Sequence, residues 1–464
     1  MPISQAGDLT SGNIPRNMLR FSLPILLGNL IQNGYSVVNT IWIGQLVGEN
    51  GVGVTAVVNS VVMLLITIAV GITSAAGLII SRLTGAGDPV PLNKSVRQTL
   101  TITLLVGLFL TFASIMMSDW LLVVLKTPEE ILSLASGFLK LSLSGFFMLF
   151  LSVVVMTIMR GTGDSVTPMF FTLFAVILNA ILDPLLMMGI SFFPELGLMG
   201  AAWASLLSQG AACAGSLLYL RKKQPGFWPG IRDFWPDSKL VLELAKIGIP
   251  FTMQHAIVAL GGMFITADVN RFGVHATNAF GATGRLETLI IMPAQSFGVA
   301  ISMMVSQNIG AKAYHRIRAL TGWGIFFTVA MTIVLSLLAI VFATPILTAF
   351  GLLPLSAEAA IAVRYIWIVA TCYPVMALFF ALSGTINGTG NTFYSMLVAA
   401  ISLWGIRIPL TGVLSQSLQT DGIWIATSIG FFSSAILGVY FYWLKCIRPY
   451  KNLKPQLNFD VSNP

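Results

Sequence analysis

Charged side chains are scarce in this sequence, making up 9% of its 464 residues, where soluble domains carry roughly a quarter. That scarcity excludes a water-soluble globule, because so few ionised groups cannot coat the surface a chain of this length exposes. Cysteine is rarer still. Cys213, Cys372 and Cys446 lie within or at the ends of apolar runs with no ligand spacing, which excludes a disulfide framework, a redox motif and a zinc site. Neither a Ser/His/Asp constellation nor a nucleophile–base pair is present, and "GTGD" at 161–164 follows no strand and lacks Walker spacing. These absences argue against ATP-driven transport and against an intramembrane enzyme, and the chain is expected to need no metal or cofactor. The N-terminal stretch "MPISQAGDLTSGNIPRNMLR" has no apolar core followed by a cleavage site, so the first apolar run is expected to act as the signal.

Apolar residues, by contrast, reach 56%. A membrane-crossing helix needs about 20 of them in succession, and the sequence predicts twelve such spans: 19–47, 51–82, 95–118, 132–160, 166–190, 197–221, 241–272, 277–311, 317–342, 358–386, 391–417 and 422–446. These runs lack period-2 alternation, which excludes a transmembrane β-barrel. The expected fold class is an all-α integral membrane protein in a lipid bilayer.

Basic residues cluster in the N-terminus and in the even-numbered connections: Arg16 and Arg20, then Arg82, Lys94 and Arg97, Arg160, the run Arg221 to Lys246 (with Arg232), Lys312, Arg316 and Arg318, and the tail with Lys445, Arg448, Lys451 and Lys454. Odd connections hold Glu49, Lys126, Glu129, Glu130, Glu195, Glu358 and Asp421. Retention of Lys and Arg on the inner side then places both termini in the cytoplasm of a cell inner (plasma) membrane. The same placement explains the net charge of +8 without nucleic acid as a partner.

An internal repeat divides the chain. "GTGD" at 161–164 returns as "GTGN" at 388–391, and "SRLTGAG" at 81–87 as "SQNIGAK" at 306–312. The expected organisation is a cytoplasmic segment 1–18, a six-helix lobe 19–221, a linker 222–240, a second six-helix lobe 241–446 and a cytoplasmic tail 447–464. An even number of helices per repeat relates the lobes about an axis along the membrane normal, and transporters place substrate sites between such halves.

In the fifth span, "VILNAILDPLLMMG" at 176–189 keeps one acid, Asp183, followed by Pro184. An aspartate at membrane depth costs several kcal/mol unless it is neutralised or paired, so it marks a functional site or a structural pair, for which Lys140 is a candidate base. Asn179 stands one turn away on the same face. The other embedded charges are Asp268, Arg271, Arg285, Glu287 and Arg407; the first four are read as pairing with one another, or alternatively Glu287 or Asp268 serves as a second coupling acid. Gln32, Asn33, Tyr35, Met187, Met188, Gln254, His255, Tyr373, Met376 and Arg407 are candidates for a deformable polar–aromatic substrate cavity, with ordinary helix packing as the alternative.

Several stretches together resemble the multidrug and toxic compound extrusion (MATE) transporters, prokaryotic type, with the DinF-like branch as one candidate. They are "SLPILLGNLIQNGYSVVNTIWIGQLVG" in the first span, "GTGDSVTPM", "LNAILDP", "GLMGAAWA" and "VSQNIGAKAYHRIRA". The resemblance covers nearly the whole chain. It implies two six-helix bundles alternating between outward and inward openings, and an antiporter, working as a monomer, that expels small organic, often cationic or amphipathic compounds in exchange for H+ or Na+. It also implies a coupling-cation site made by Asn179, Asp183 and a first-helix acid, at whose position this chain has Asn39. An amide can offer an oxygen but cannot titrate. A lipid-linked oligosaccharide flippase of the same superfamily, or a dedicated exporter of one metabolite, are the rival readings.

Overall fold

The computed structural model describes residues 7–190, 194–235 and 237–448. Residues 1–6, the tail from residue 449 with Lys451 and Lys454, and the side chains of Glu49 and Arg232 lie outside the described residues. Among the described residues the regular structure is helix, without a strand. A solvent with no hydrogen bonds to offer requires each segment to pair its own amides and carbonyls, which a helix does internally.

Each expected span is filled by helix: α1 (Ile14–Leu46), α2 (Glu49–Ala86), α3 (Pro89–Val124), α6 (Val166–Met188), α7 (Leu198–Lys223), α8 (Ser238–Asn270), α9 (Val274–Gly310) and α10 (His315–Val341) are continuous. The fourth span is broken at Gly145 into α4 (Glu129–Ser144) and α5 (Phe146–Gly161). A short α11 (Ala343–Ala349) follows α10. The tenth span is α12 (Ala357–Val369), a 3-10 turn (Ala370–Cys372) and α13 (Tyr373–Gly388). The eleventh runs from α14 (Thr392–Ala400) through a π-helical stretch (Ile401–Arg407) to α15 (Ile408–Leu418), and the last is α16 (Thr420–Tyr442) with a π-helical end (Trp443–Ile447). Among the described residues ten segments are long and apolar enough to cross a membrane; α1 and α7 have the length but fall short in composition. The cause is visible in their side chains. α1 carries Asn29, Gln32, Asn33 and Asn39, and α7 alternates small residues with polar ones and ends on Arg221, Lys222 and Lys223.

Local chemistry sets the helix starts. The Asp88 carboxylate accepts from the Val90 amide at 2.9 Å ahead of Pro89, whose missing N–H costs nothing at a first turn. The "GTGD" motif is of the same kind: Asp164 Oδ1 accepts from the amides of Val166 and Thr167 at 3.1 and 3.0 Å, satisfying orphan donors at the head of α6. Lys94 Nζ of α3 donates to Asp237 of the linker at 2.7 Å, and that hydrogen bond holds the part-exposed Asp237 carboxyl below the usual carboxylate range.

The chain forms two compact units. Among the described residues, one comprises Gly7, Leu23–Thr84 and Asp88–Thr252, and the other comprises Asp8–Ser22, Gly85–Gly87 and the chain from Met253 to Arg448. The core of the first is built from Val58 and Leu65 of α2, Leu92 and Leu100 of α3, and Leu139, Phe146, Phe150 and Ile158 of α4 and α5. The core of the second packs Ile265 and Val269 of α8, Leu286 and Ile290 of α9, Tyr365 and Ile366 of α12, and Trp424 and Phe431 of α16. Here α9 and α13 approach closely enough that a Cβ on Gly384 would lie 2.5 Å from the carbonyl oxygen of Gly298. Small residues permit such contacts, which replace the hydrophobic drive that lipid cannot supply.

Candidate functional site

α6 stays helical through Pro184, although a proline cannot donate to the carbonyl four residues back, here that of Ala180. Asp183, within that turn, is fully buried, and Asn179 is 4% exposed. The four-residue spacing puts them on one face, and Asn179 Nδ2 donates to Asp183 Oδ1 at 2.9 Å. The other carboxylate oxygen accepts from the Tyr35 hydroxyl of α1 at 3.0 Å. Ser205 of α7 reaches Asn179 Oδ1 at 3.4 Å. α7 is held close to α6 by Gly200, where a Cβ would meet the Leu186 carbonyl at 2.6 Å.

Both hydrogen-bond partners of this carboxylate, Tyr35 and Asn179, are neutral. Among the described residues Asp183 is in no ion pair, and the base considered for it, Lys140, is committed elsewhere: Lys140 Nζ binds Asp119 Oδ2 at 2.8 Å, and Ser136 donates to the other oxygen of Asp119. That replaces the Asp183–Lys140 pair weighed from the sequence. Each Asp183 oxygen accepts one hydrogen bond where a carboxylate can accept about four in all, so both retain capacity for a proton or a metal cation. The Tyr35 hydroxyl, the Asn179 amide oxygen and the Ser205 hydroxyl add hard oxygen atoms to the same cluster.

The hydrogen bond that α1 gives to the carboxylate comes from Tyr35 and not from Asn39. Asn39 follows one turn along α1, and its Oδ1 is buried without a hydrogen-bond partner. If the acid couples ions as the resemblance implies, Tyr35→Phe, which removes one hydrogen bond worth about 1 kcal/mol, is expected to leave export intact and to change the ion concentration for half-maximal rate several-fold, as measured by dye efflux at graded pH or Na+.

The remaining candidates fall in separate places. Gln32 and Asn33 are exposed on α1, and Asn33 Nδ2 bonds the Asn29 carbonyl at 2.9 Å. Met187 and Tyr373 are 3% and 2% exposed, inside the packed interiors of their units, while Met188 is exposed. Gln254 and Met376 are half-buried and His255 is exposed. Asp268 pairs with Arg271 at 3.2 Å on α8. Glu287 does not pair with Arg285. Two residues apart on α9, the two point to different faces, and Glu287 instead accepts from the Tyr365 hydroxyl at 2.5 Å. Arg285 lines a cavity of about 420 Å³ with Thr277, Asn278 and Ser356, beside Glu358, which contacts His275 Nδ1 at 2.5 Å. Sequence reasoning missed Ser205 altogether; its only signal is a hydroxyl among small residues on α7. It also assigned Tyr35 to the substrate cavity rather than to the acid.

With this geometry in place, comparison with known proteins is informative. A family profile described as MatE matches residues 24–185 and 250–413. The chain is 32% identical over 444 residues to the "Probable multidrug resistance protein YpnP" of Bacillus subtilis (strain 168), covering 94% of this chain and 97% of that protein. It is 29% identical over 438 residues to "Probable multidrug resistance protein YoeA" of the same organism, covering 93% and 94%. A solved structure described as the outward-facing conformation of a multidrug resistance MATE family transporter of the MOP superfamily superposes with a TM-score of 0.89 at 20% identity, over 97% of this chain and 99% of that one. That last likeness concerns the fold alone, and the fold is the MATE fold.

Proposed function

The chain belongs to the MATE family and is a multi-pass membrane protein, and from that premise we propose that it is a secondary antiporter exporting small organic, often cationic or amphipathic compounds in exchange for H+ or Na+. The observation that carries the coupling is the buried Asp183 carboxylate, bound by Tyr35 and Asn179 and by no base among the described residues. An isolated anion in this setting is costly, and uptake of a proton or a sodium ion removes the cost. If two helix packings differ in their affinity for the ion, its gradient biases which packing is populated, and export against a gradient follows by alternating access. Asn179, Asn39 and Ser205 act as oxygen donors around the exchanged ion, and Gln32, Asn33, Gln254, His255 and Met376 contribute to substrate contact.

The protein works as a monomer in the cell inner (plasma) membrane with both termini cytoplasmic, in accord with the basic residues at the even connections. It needs no resident cofactor, performs no catalysis and binds no nucleic acid. The test is export of ethidium from proteoliposomes under an imposed pH gradient or an imposed Na+ gradient. Either gradient is expected to drive efflux above the rate of ungraded vesicles; equal rates with and without both gradients overturn antiport. Asn39→Asp adds a second carboxylate one turn from Tyr35, and is expected to shift the pH or Na+ dependence of that efflux. An unchanged profile removes Asn39 from the ion site.

A further inference from the structure

A second polar cluster lies wholly within the unit that contains α9 to α16. The π-helical stretch Ile401–Arg407 ends on Arg407, and such wide turns are rare and concentrate at functional sites. Arg407 is half-buried, its Nε is buried without a hydrogen-bond partner, and it takes part in no ion pair among the described residues. Its guanidinium carbon sits 5.6 Å from the ring centroid of Phe431. Gly430 makes the room: a Cβ there would lie 3.0 to 3.3 Å from three carbons of the Arg407 side chain. The arginine is thus laid along α16 in a fixed direction. On the same helix as Phe431, the Nε1 donor of the fully buried Trp424 also lacks a partner, and its ring packs on Tyr365 at 4.7 Å.

The obvious counter-charge is Glu287, which Arg407 feels electrostatically together with Tyr365 and Tyr373. Glu287 is not bonded to Arg407; it accepts the hydroxyl of Tyr365. A guanidinium fork is shaped to bind carboxylate or phosphate with two parallel hydrogen bonds. The cluster therefore combines an oriented arginine and an aromatic floor, with Glu287 and Arg407 both part-exposed.

We propose that this cluster is a substrate subsite for the carboxylate of an amphipathic compound, with Arg407 as its recognition residue and Glu287 as the resident carboxylate that competes for it. The proposal rests on the exporter reading for its purpose, and extends the substrate range from cations to carboxylates and zwitterions. Binding is measured directly and without a gradient, so its failure leaves antiport untouched, and a failure of antiport leaves the binding result standing.

The experiment titrates the purified full-length chain with the fluorescent carboxylate dansylaminoundecanoate and, separately, with ethidium. Arg407→Gln is expected to weaken the carboxylate probe at least tenfold and to leave ethidium within twofold. Glu287→Gln, which keeps an acceptor for Tyr365, is expected to tighten the carboxylate probe several-fold. A merely structural role for the pair does not produce opposite signs. The proposal is overturned by no binding of the carboxylate to the unaltered chain, by equal losses for both probes in Arg407→Gln, or by weaker carboxylate binding in Glu287→Gln. Should Arg407→Gln fail to fold, Arg407→Lys decides: it keeps the charge, loses the fork and is expected to weaken the carboxylate probe several-fold, and unchanged affinity overturns the assignment.

Discussion

Asp183→Asn is expected to lower gradient-driven ethidium efflux in proteoliposomes at least tenfold, to the leak rate, while the protein remains folded. The replacement is nearly isosteric. Its amide oxygen can still accept from Asn179 or Tyr35, and the Tyr35 hydroxyl can accept as well as donate, so the local bonds have partners after the change. What is lost is the capacity to exchange a charge. Removing an uncompensated buried anion takes away a desolvation cost, so the melting temperature is expected to hold or rise. Full efflux by this variant, driven by the same gradient, takes Asp183 out of the mechanism. Loss of efflux together with loss of the folded protein attributes the acid to structure instead.

Gly384→Val is expected to produce the largest loss of stability. The clash it creates is with backbone: the Gly298 carbonyl oxygen stands 2.5 Å and the Gly298 Cα 3.2 Å from the new Cβ. A side chain could swing away, but two helices in contact must separate, and overpacking of this kind costs about 1–3 kcal/mol. The control is Gly412→Ala on α15, where nothing lies within 4 Å of the added carbon and alanine favours the helix by about 1 kcal/mol. In detergent, thermal unfolding is expected to fall clearly for Gly384→Val and to stay level or rise for Gly412→Ala. Equal behaviour of the two variants overturns the close-packing account of α9 and α13.

The positions of the helices were legible because the constraint that creates them acts on single segments: a run of apolar residues in lipid has helix as its available answer. The interruptions were not legible. Gly145, the turn at Ala370–Cys372 and the π-helical stretch at Ile401–Arg407 interrupt runs that remain predominantly apolar on both sides of the break. The candidate site divides the same way. Asn179 and Asp183 could be paired from their spacing alone, since one helical turn fixes their relation. Tyr35 stands 148 residues from Asp183 and Ser205 26 residues from Asn179, and such meetings depend on which helix faces pack. For the same reason Lys140 found Asp119 on the neighbouring helix, and Glu287 found Tyr365 rather than Arg285.

Pro184 deprives α6 of one rung in the turn that also holds its sole ionisable side chain. Stiffness and charge are therefore at their lowest and highest within the same few ångströms. With Asp183 as the proposed coupling site, the work of an arriving ion would be delivered at the turn the proline weakens, so that a chemical event the size of one proton could bend the helix without first having to travel through a rigid segment.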